Sequence, residues 1–264
     1  MTNAPLPTSR AALPDRVVRA LVTVALIGGA ILFLALNGPR DGWSWSRVWG
    51  DAHHDGWRLL FLSALGKTLL VSLGALVLSL VFGGLGGLAR LSPRPAINQL
   101  AVVYVEVVRG TPLLVQIFLA VYCVGYSIGI DGDPTLVGIF TLGLFAGAYV
   151  TEIVRSAVES IDRGQTEAAL SQGMTQGQVL RHVLLPQAFR RMLPPLTGEF
   201  VSLVKDSSLL SVVGVLEISK RASEARADTY RTYEIYVPLA LLYLAITFPL
   251  SRLARRLELR LAAQ

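Results

Sequence analysis

Between Leu59 and Ala89 the chain runs for 31 residues with Lys67 as its single charge. About 20 apolar residues already cross a bilayer as a helix, so this run reads as a tilted span. In hydrocarbon every backbone N–H and C=O must find its partner within the segment, which leaves helices as the fitting structure. Further apolar runs occupy Val17–Leu36, Ile97 to about Tyr126, Leu136 to about Val154, Thr197–Leu216, and Tyr236 to about Leu250. The expectation is an all-α polytopic membrane protein with six transmembrane helices. Composition agrees: charged residues make up 16%, well below the roughly 25% of soluble domains. In a soluble protein the net charge of +6 would suggest nucleic acid; here it fits basic cytoplasmic flanks. Cys123 is the only cysteine, which excludes a disulfide within the chain.

The segments between the spans set the domain plan. Residues 1–16 are polar and carry Pro5, Pro7 and Pro14, and are expected to be a disordered cytoplasmic tail. Val17–Leu36 is long and lacks a small-x-small closing site, so it reads as a retained span rather than a cleaved signal. Residues 37–58 hold all four tryptophans, Trp43, Trp45, Trp49 and Trp57, and read as a periplasmic segment lying in the membrane interface. His53 and His54 sit near Asp51 and Asp55, but adjacent histidines chelate poorly, and no metal is expected. Residues 59–254 form the core of five spans, with a polar loop at 159–195, and 255–264 form a cytoplasmic tail. Gly110-Thr111-Pro112 interrupts the third span, where Pro112 should kink it. Asp131 to Pro134 reads as a turn, and 217–235 as a charged, solvated loop. No internal repeat is evident.

Two glycine patterns suggest nucleotide sites and fail on inspection. Gly66-Lys67-Thr68 lacks the required glycine five positions earlier, where Phe61 stands. Gly83-Gly84-Leu85-Gly86-Gly87 follows no strand; Gly83 and Gly87, four apart, suit close helix packing. No cofactor site is expected on this chain, and no nucleophile and base stand together for catalysis.

The polar stretch Glu167–Pro186 stands apart from the spans. Asp162 followed by Gln165, and Thr175 followed by Gln178, each read as a helix start. Gly173 lies between, where a helix end favours a residue tolerant of positive φ. The stretch therefore reads as a helix–glycine–helix knob outside the membrane. Its spacing is Glu167-Ala168-Ala169, three residues, Gly173, nine residues, then Val183-Leu184-Leu185-Pro186. This resembles the EAA loop of ABC importer permeases, with Val183 where the pattern usually has Ile. Tyr104 to Gln116 and Lys205-Asp206-Ser207-Ser208-Leu209 are similar to the subfamily that imports polar amino acids, and the resemblance extends from about Trp57 to the C-terminus. It implies a type I importer permease fold and a coupling role for Glu167, Ala168, Ala169, Gly173, Leu185 and Pro186. The implied partners are a cytosolic ATPase dimer carrying ATP and Mg, a second permease copy or sister, and an extracytoplasmic binding protein.

Basic residues set the orientation. Fourteen of the 24 Lys and Arg fall at the N-terminus, the 90–95 loop, the knob and the tail, against seven on the other side. The richer side should be cytoplasmic, with both termini inside a bacterial inner membrane. The other basic residues, Lys67, Arg109 and Lys205, fall within spans, as do Glu106, Glu152 and Asp206. Ionisable groups at depth face partners or water-filled paths. Lys67 can snorkel outward. Glu106 and Arg109, three apart, can pair. Glu152 reads as support for the knob. Asp206, near the middle of its span, is either a contact for a substrate ammonium, with Lys205, Ser207 and Ser208 beside it, or a structural partner of a cation such as Arg109. Two other classes stay open: an ion-coupled secondary amino-acid carrier, and a membrane-anchored sensor or scaffold. The carrier would want discontinuous helices and repeats; the scaffold leaves the knob spacing unexplained.

Overall fold

A computed structural model describes residues 55–127, 129 and 133–262, with isolated positions at 25, 28, 29, 38 and 42. The chain divides into two units, Met1–Trp45 and Ser46–Gln264, and every element named below belongs to the second. The N-terminal tail, most of the span Val17–Leu36 and of the tryptophan segment, with His53 and His54, and Asp131–Gly132 lie outside the described residues. Those described are almost entirely helical and include no strand.

The order is α1 (Asp55–Arg90), α2 (Pro95–Gly110), α3 (Leu113–Phe118), α4 (Thr135–Glu159), α5 (Arg163–Ser171), α6 (Gln176–Val179), α7 (Leu185–Asp206), α8 (Ile218–Thr229) and α9 (Tyr233–Ala262). Wide π-helical turns continue α3 through Leu119–Gly125 and join α6 to α7 through Leu180–Leu184. Among the described residues, Leu60–Arg90, Thr135–Glu159 and Tyr233–Leu259 are long and apolar enough to span a membrane. Over half of the α4 span (56%) is buried, against 28% for α1 and none for α9, so α4 is the central helix. The apolar surface left open on α1, including Leu62, Leu70, Val77 and Leu85, is what a helix facing lipid or another chain presents.

Three expectations need correction. The third span is more than kinked: α2 and α3 meet at 103°. Pro112 excludes the residue before it from helical geometry, and Thr111 is extended (φ −114°, ψ 142°). The carbonyls freed at the break are met by Gln116, whose Nε2 donates to Val108 O at 2.7 Å and Thr111 O at 3.1 Å. The span expected over Thr197–Leu216 is instead the end of α7, a 3-10 turn over Ser207–Val213 and a left-handed Gly214. Asp206 therefore ends a helix rather than sitting inside one. The charged stretch 217–235 is not a solvated loop. Ile218, Ala222 and Ala225 recur at helical spacing and bury against Phe61, Ala64, Ile235 and Leu239. Glu217 is fully buried as the cap of α8. It accepts from Lys220 N at 2.8 Å and from Tyr243 Oη at 3.0 Å.

Candidate functional site: a knob and a charged cavity

The knob forms as its residues dictate. Asp162 caps α5, its Oδ1 accepting from Gly164 N at 2.7 Å. Gln165 contributes its backbone N–H to Asp162 O at 3.1 Å rather than a side chain reaching back. At Gly173 (φ +82°) the helix closes in a Schellman arrangement: Met174 N donates to Ala169 O at 3.2 Å and Gly173 N to Leu170 O at 2.9 Å. The capping box at Thr175 is complete, with Gln178 N donating to Thr175 Oγ1 at 3.4 Å and Thr175 N to Gln178 Oε1 at 2.8 Å.

One feature of the knob differs from expectation. The second helix is not a short separate piece; it runs through the wide turn into α7, where Leu185 N reaches back to Leu180 O. That turn ends at Pro186, which has no N–H to offer a tighter one. Ala169 is buried, while Glu167, Ala168, Gly173 and Pro186 are exposed and Leu185 is half-buried. Leu170 and Phe189 add exposed apolar surface, beside exposed Arg181, His182 and Arg190. The root of the knob is apolar: Ala157, Val158 and Ile161 pack with Ala188 and Met192.

A cavity of about 420 Å³ opens between α2, α4 and α7, lined by Arg109, Tyr149, Glu152, Ser156, Ser160, Arg191 and Glu199 among others. The Arg109 guanidinium carbon lies 4.8 Å from the centre of the Tyr149 ring, a cation–π distance. Arg109 makes no ion pair with Glu106, which is exposed, nor with Asp206. Two acids line the cavity with it, Glu152 and Glu199; Glu199 lies within electrostatic range of Asp206 and of Arg109. Glu152 accepts from Arg155 Nη2 at 2.8 Å and Arg90 Nε at 3.4 Å. Arg155 also pairs with Glu159. Glu152 is thereby held as a structural acid joining α4 to the end of α1.

The expected substrate-path group is thus dispersed. Lys205 opens into a second cavity, of about 630 Å³, between α7 and α9, with Ser202, Ser251, Arg255 and Glu258. Ser207 is fully buried, its hydroxyl donating to Val204 O at 2.9 Å. Ser208 and Asp206 are half-buried, and Asp206 and Lys205 form no ion pair with each other. Glu199 escaped the sequence reading, although an acid two positions into an apolar run was its signal. Among the described residues no group of His, Cys, Asp and Glu is arranged to hold a metal.

Residues 75–263 match the family of binding-protein-dependent transport system inner membrane components. The chain belongs to this family. As a binding-protein-dependent transport component it is similar to the glutamine transport system permease protein GlnP of Escherichia coli K12. The two are 37% identical over 218 residues, covering 82% of this chain and 97% of that one. It is 39% identical over 191 residues to the L-cystine transport system permease protein TcyB of Bacillus subtilis, covering 70% and 81% of the two chains. Among solved structures, an amino acid ABC transporter determined with histidines superposes with a TM-score of 0.72 at 35% identity, over 78% of this chain and 95% of that one. The methionine transporter MetNI, at 21% identity and a TM-score of 0.65 over 77% and 98%, shares the fold. These likenesses establish the type I importer permease architecture and an inner-membrane transport role.

Proposed function

We propose that this chain is the permease subunit of an ATP-driven importer of polar amino acids. ATP and Mg are handled by a separate cytosolic ATPase dimer that docks on Glu167–Pro186. A second permease, identical or a sister, completes the path, and an extracytoplasmic binding protein delivers substrate. The observation that carries the substrate class is the cavity holding Arg109, Tyr149 and Glu199. A guanidinium suits an α-carboxylate, and a carboxylate suits an α-ammonium. A zwitterion satisfies both in one cavity, where an apolar or singly charged solute would leave one charge uncompensated. The Asp206 and Lys205 pair, with Ser207 and Ser208, serves the framework at the far end of α7 in this reading.

The test is uptake of labelled amino acids into liposomes holding the permease with its ATPase, supplied with the binding protein. Uptake should need ATP and binding protein and be indifferent to ion gradients. Uptake driven by a sodium or proton gradient without ATP would replace this reading with an ion-coupled carrier.

A further inference from the structure

Arg191 belongs to the knob and to the cavity at once. Its Nη1 donates to Ser160 O at 2.6 Å and to Ser160 Oγ at 2.8 Å. Ser160 caps the C-terminus of α4, and two residues later Asp162 opens α5. Both Arg191 and Ser160 also line the charged cavity. Among the described residues these are the only side-chain hydrogen bonds between α7 and the end of α4.

Arg191, Pro195 and Glu199 recur at four-residue intervals, so they share one face of α7. Gln176 to Asp206 is a single unbroken run of helical turns. A displacement of the knob is therefore carried toward Glu199 along one continuous helix, across Pro194 and Pro195, and reaches the α4 wall through apolar packing and through the Arg191 guanidinium. The site suits a cation, because the C-terminus of a helix carries partial negative charge. A single nitrogen, Nη1, meets both acceptors on Ser160, a geometry that an ammonium with three donors can also supply.

The contact adds little to holding the fold together. Apolar packing of Ala157, Val158 and Ile161 on Ala188 and Met192 already joins the two helices here. Both hydrogen bonds are exposed, and an exposed bond exchanges with water at small net gain. What it fixes is the register of α7 against α4.

We infer that Arg191 is a positioning residue for coupling: its bond to Ser160 makes the cavity wall follow the knob. This rests on the reading of the chain as an ATP-driven permease. The experiment uses the complete transporter in liposomes with binding protein, at half-saturating and at saturating substrate. It compares wild type, Arg191→Ala and Arg191→Lys, and reads the ratio of binding-protein-stimulated to basal ATP hydrolysis and the substrate moved per ATP. Arg191→Ala should lower both by about tenfold, the scale of a typical coupling between sites, and Arg191→Lys should recover most of the loss. Wild-type ratios in Arg191→Ala would overturn the inference. So would a defect in Arg191→Ala that disappears at saturating substrate, the mark of a lost substrate contact. So would an Arg191→Lys variant as defective as Arg191→Ala with both failing to retain the ATPase, the mark of a structural role. A wild-type complex without ATP-driven uptake would instead sink the functional reading.

Discussion

Gly83 faces Val150 so closely that a Cβ on the glycine would lie 2.3 Å from the Cβ of Val150. One turn on, Gly87 stands in the same relation to Val154, at 2.4 Å. The glycine run that suggests a dinucleotide fingerprint is where α1 meets the central helix, at Gly83 and Gly87. Gly83→Val should destabilise the protein by about 2 kcal/mol through overpacking. Gly84, with nothing within 4 Å of its Cβ position, should accept alanine and gain slightly from helix propensity. Thermal aggregation of the detergent-solubilised variants checks both; equal melting of Gly83→Val and wild type would refute the close-packing account.

At Gly173 nothing crowds a side chain, and only the positive φ of 82° demands glycine. Gly173→Val should strain the knob by about 1–2 kcal/mol, and Gly173→Asn, which tolerates that region, by less. The expected result is that the valine variant inserts in the membrane but loses its ATPase on purification, while the asparagine variant retains it. A valine variant that keeps the ATPase and transports normally would remove the knob from docking.

Glu199 and Glu106 make a matched pair of tests. Glu199→Gln should raise the half-saturating concentration for uptake about tenfold, as one charge-assisted contact is lost. Glu106→Gln, at an exposed carboxylate outside the cavity, should transport like wild type. The reverse pattern would move the substrate's ammonium contact from Glu199 on α7 to Glu106 on α2.

Orientation is open to direct labelling. In a Cys123→Ala background, Ser223→Cys on the exposed side of α8 should react with an impermeant maleimide from outside, and Gln172→Cys in the knob should not. Outside labelling at 172 would invert the topology.

Lys67, which reads from sequence as a snorkelling charge without a role, is paired with Asp133 at 2.9 Å. Hydrogen bonds from Thr135 and Lys67 hold the Asp133 carboxyl below its ordinary value of 3.8. A lowered carboxyl contributes stability that is complete above about pH 4 and disappears as pH falls through the lowered value. The pair is exposed enough that its worth is about 0.5 kcal/mol. The difference in melting temperature between wild type and Asp133→Asn should be small and constant from pH 5 to 7 and close toward pH 3. A difference that grows on acidification would contradict the pairing.

What could be read from the sequence followed from local rules. The knob was legible because helix caps and a positive-φ glycine are short-range features: Gly173 and Thr175 behave as those rules require, while Asp162 caps its helix without the reciprocal bond from Gln165. Close helix packing at Gly83 and Gly87 was legible from glycine spacing, but the identity of the partner, α4 through Val150 and Val154, was not. The helix at Ile218–Thr229 was hidden because its charges outweigh three small or apolar residues at helical spacing, and only packing against Phe61 and Ile235 reveals that face. Glu106 and Arg109 had the spacing of a pair. What decides between them is Tyr149, forty positions away along the chain and above the guanidinium in space, which no local pattern supplies.

The buried end of α8 is seated less firmly than its apolar contacts suggest. Glu217 lies fully enclosed among neutral donors, held by Tyr243 and the Lys220 N–H, with no ion pair. A carboxylate so enclosed has surrendered its hydration, and water would repay much of it. Lifting α8 from α1 and α9 therefore exposes apolar surface at a cost and rehydrates a buried acid, whose charged form burial disfavours, at a gain. The two terms oppose each other, so the closed seat is shallower than its apolar contacts alone would make it. A cover built this way can leave its seat without first breaking a strong ionic lock.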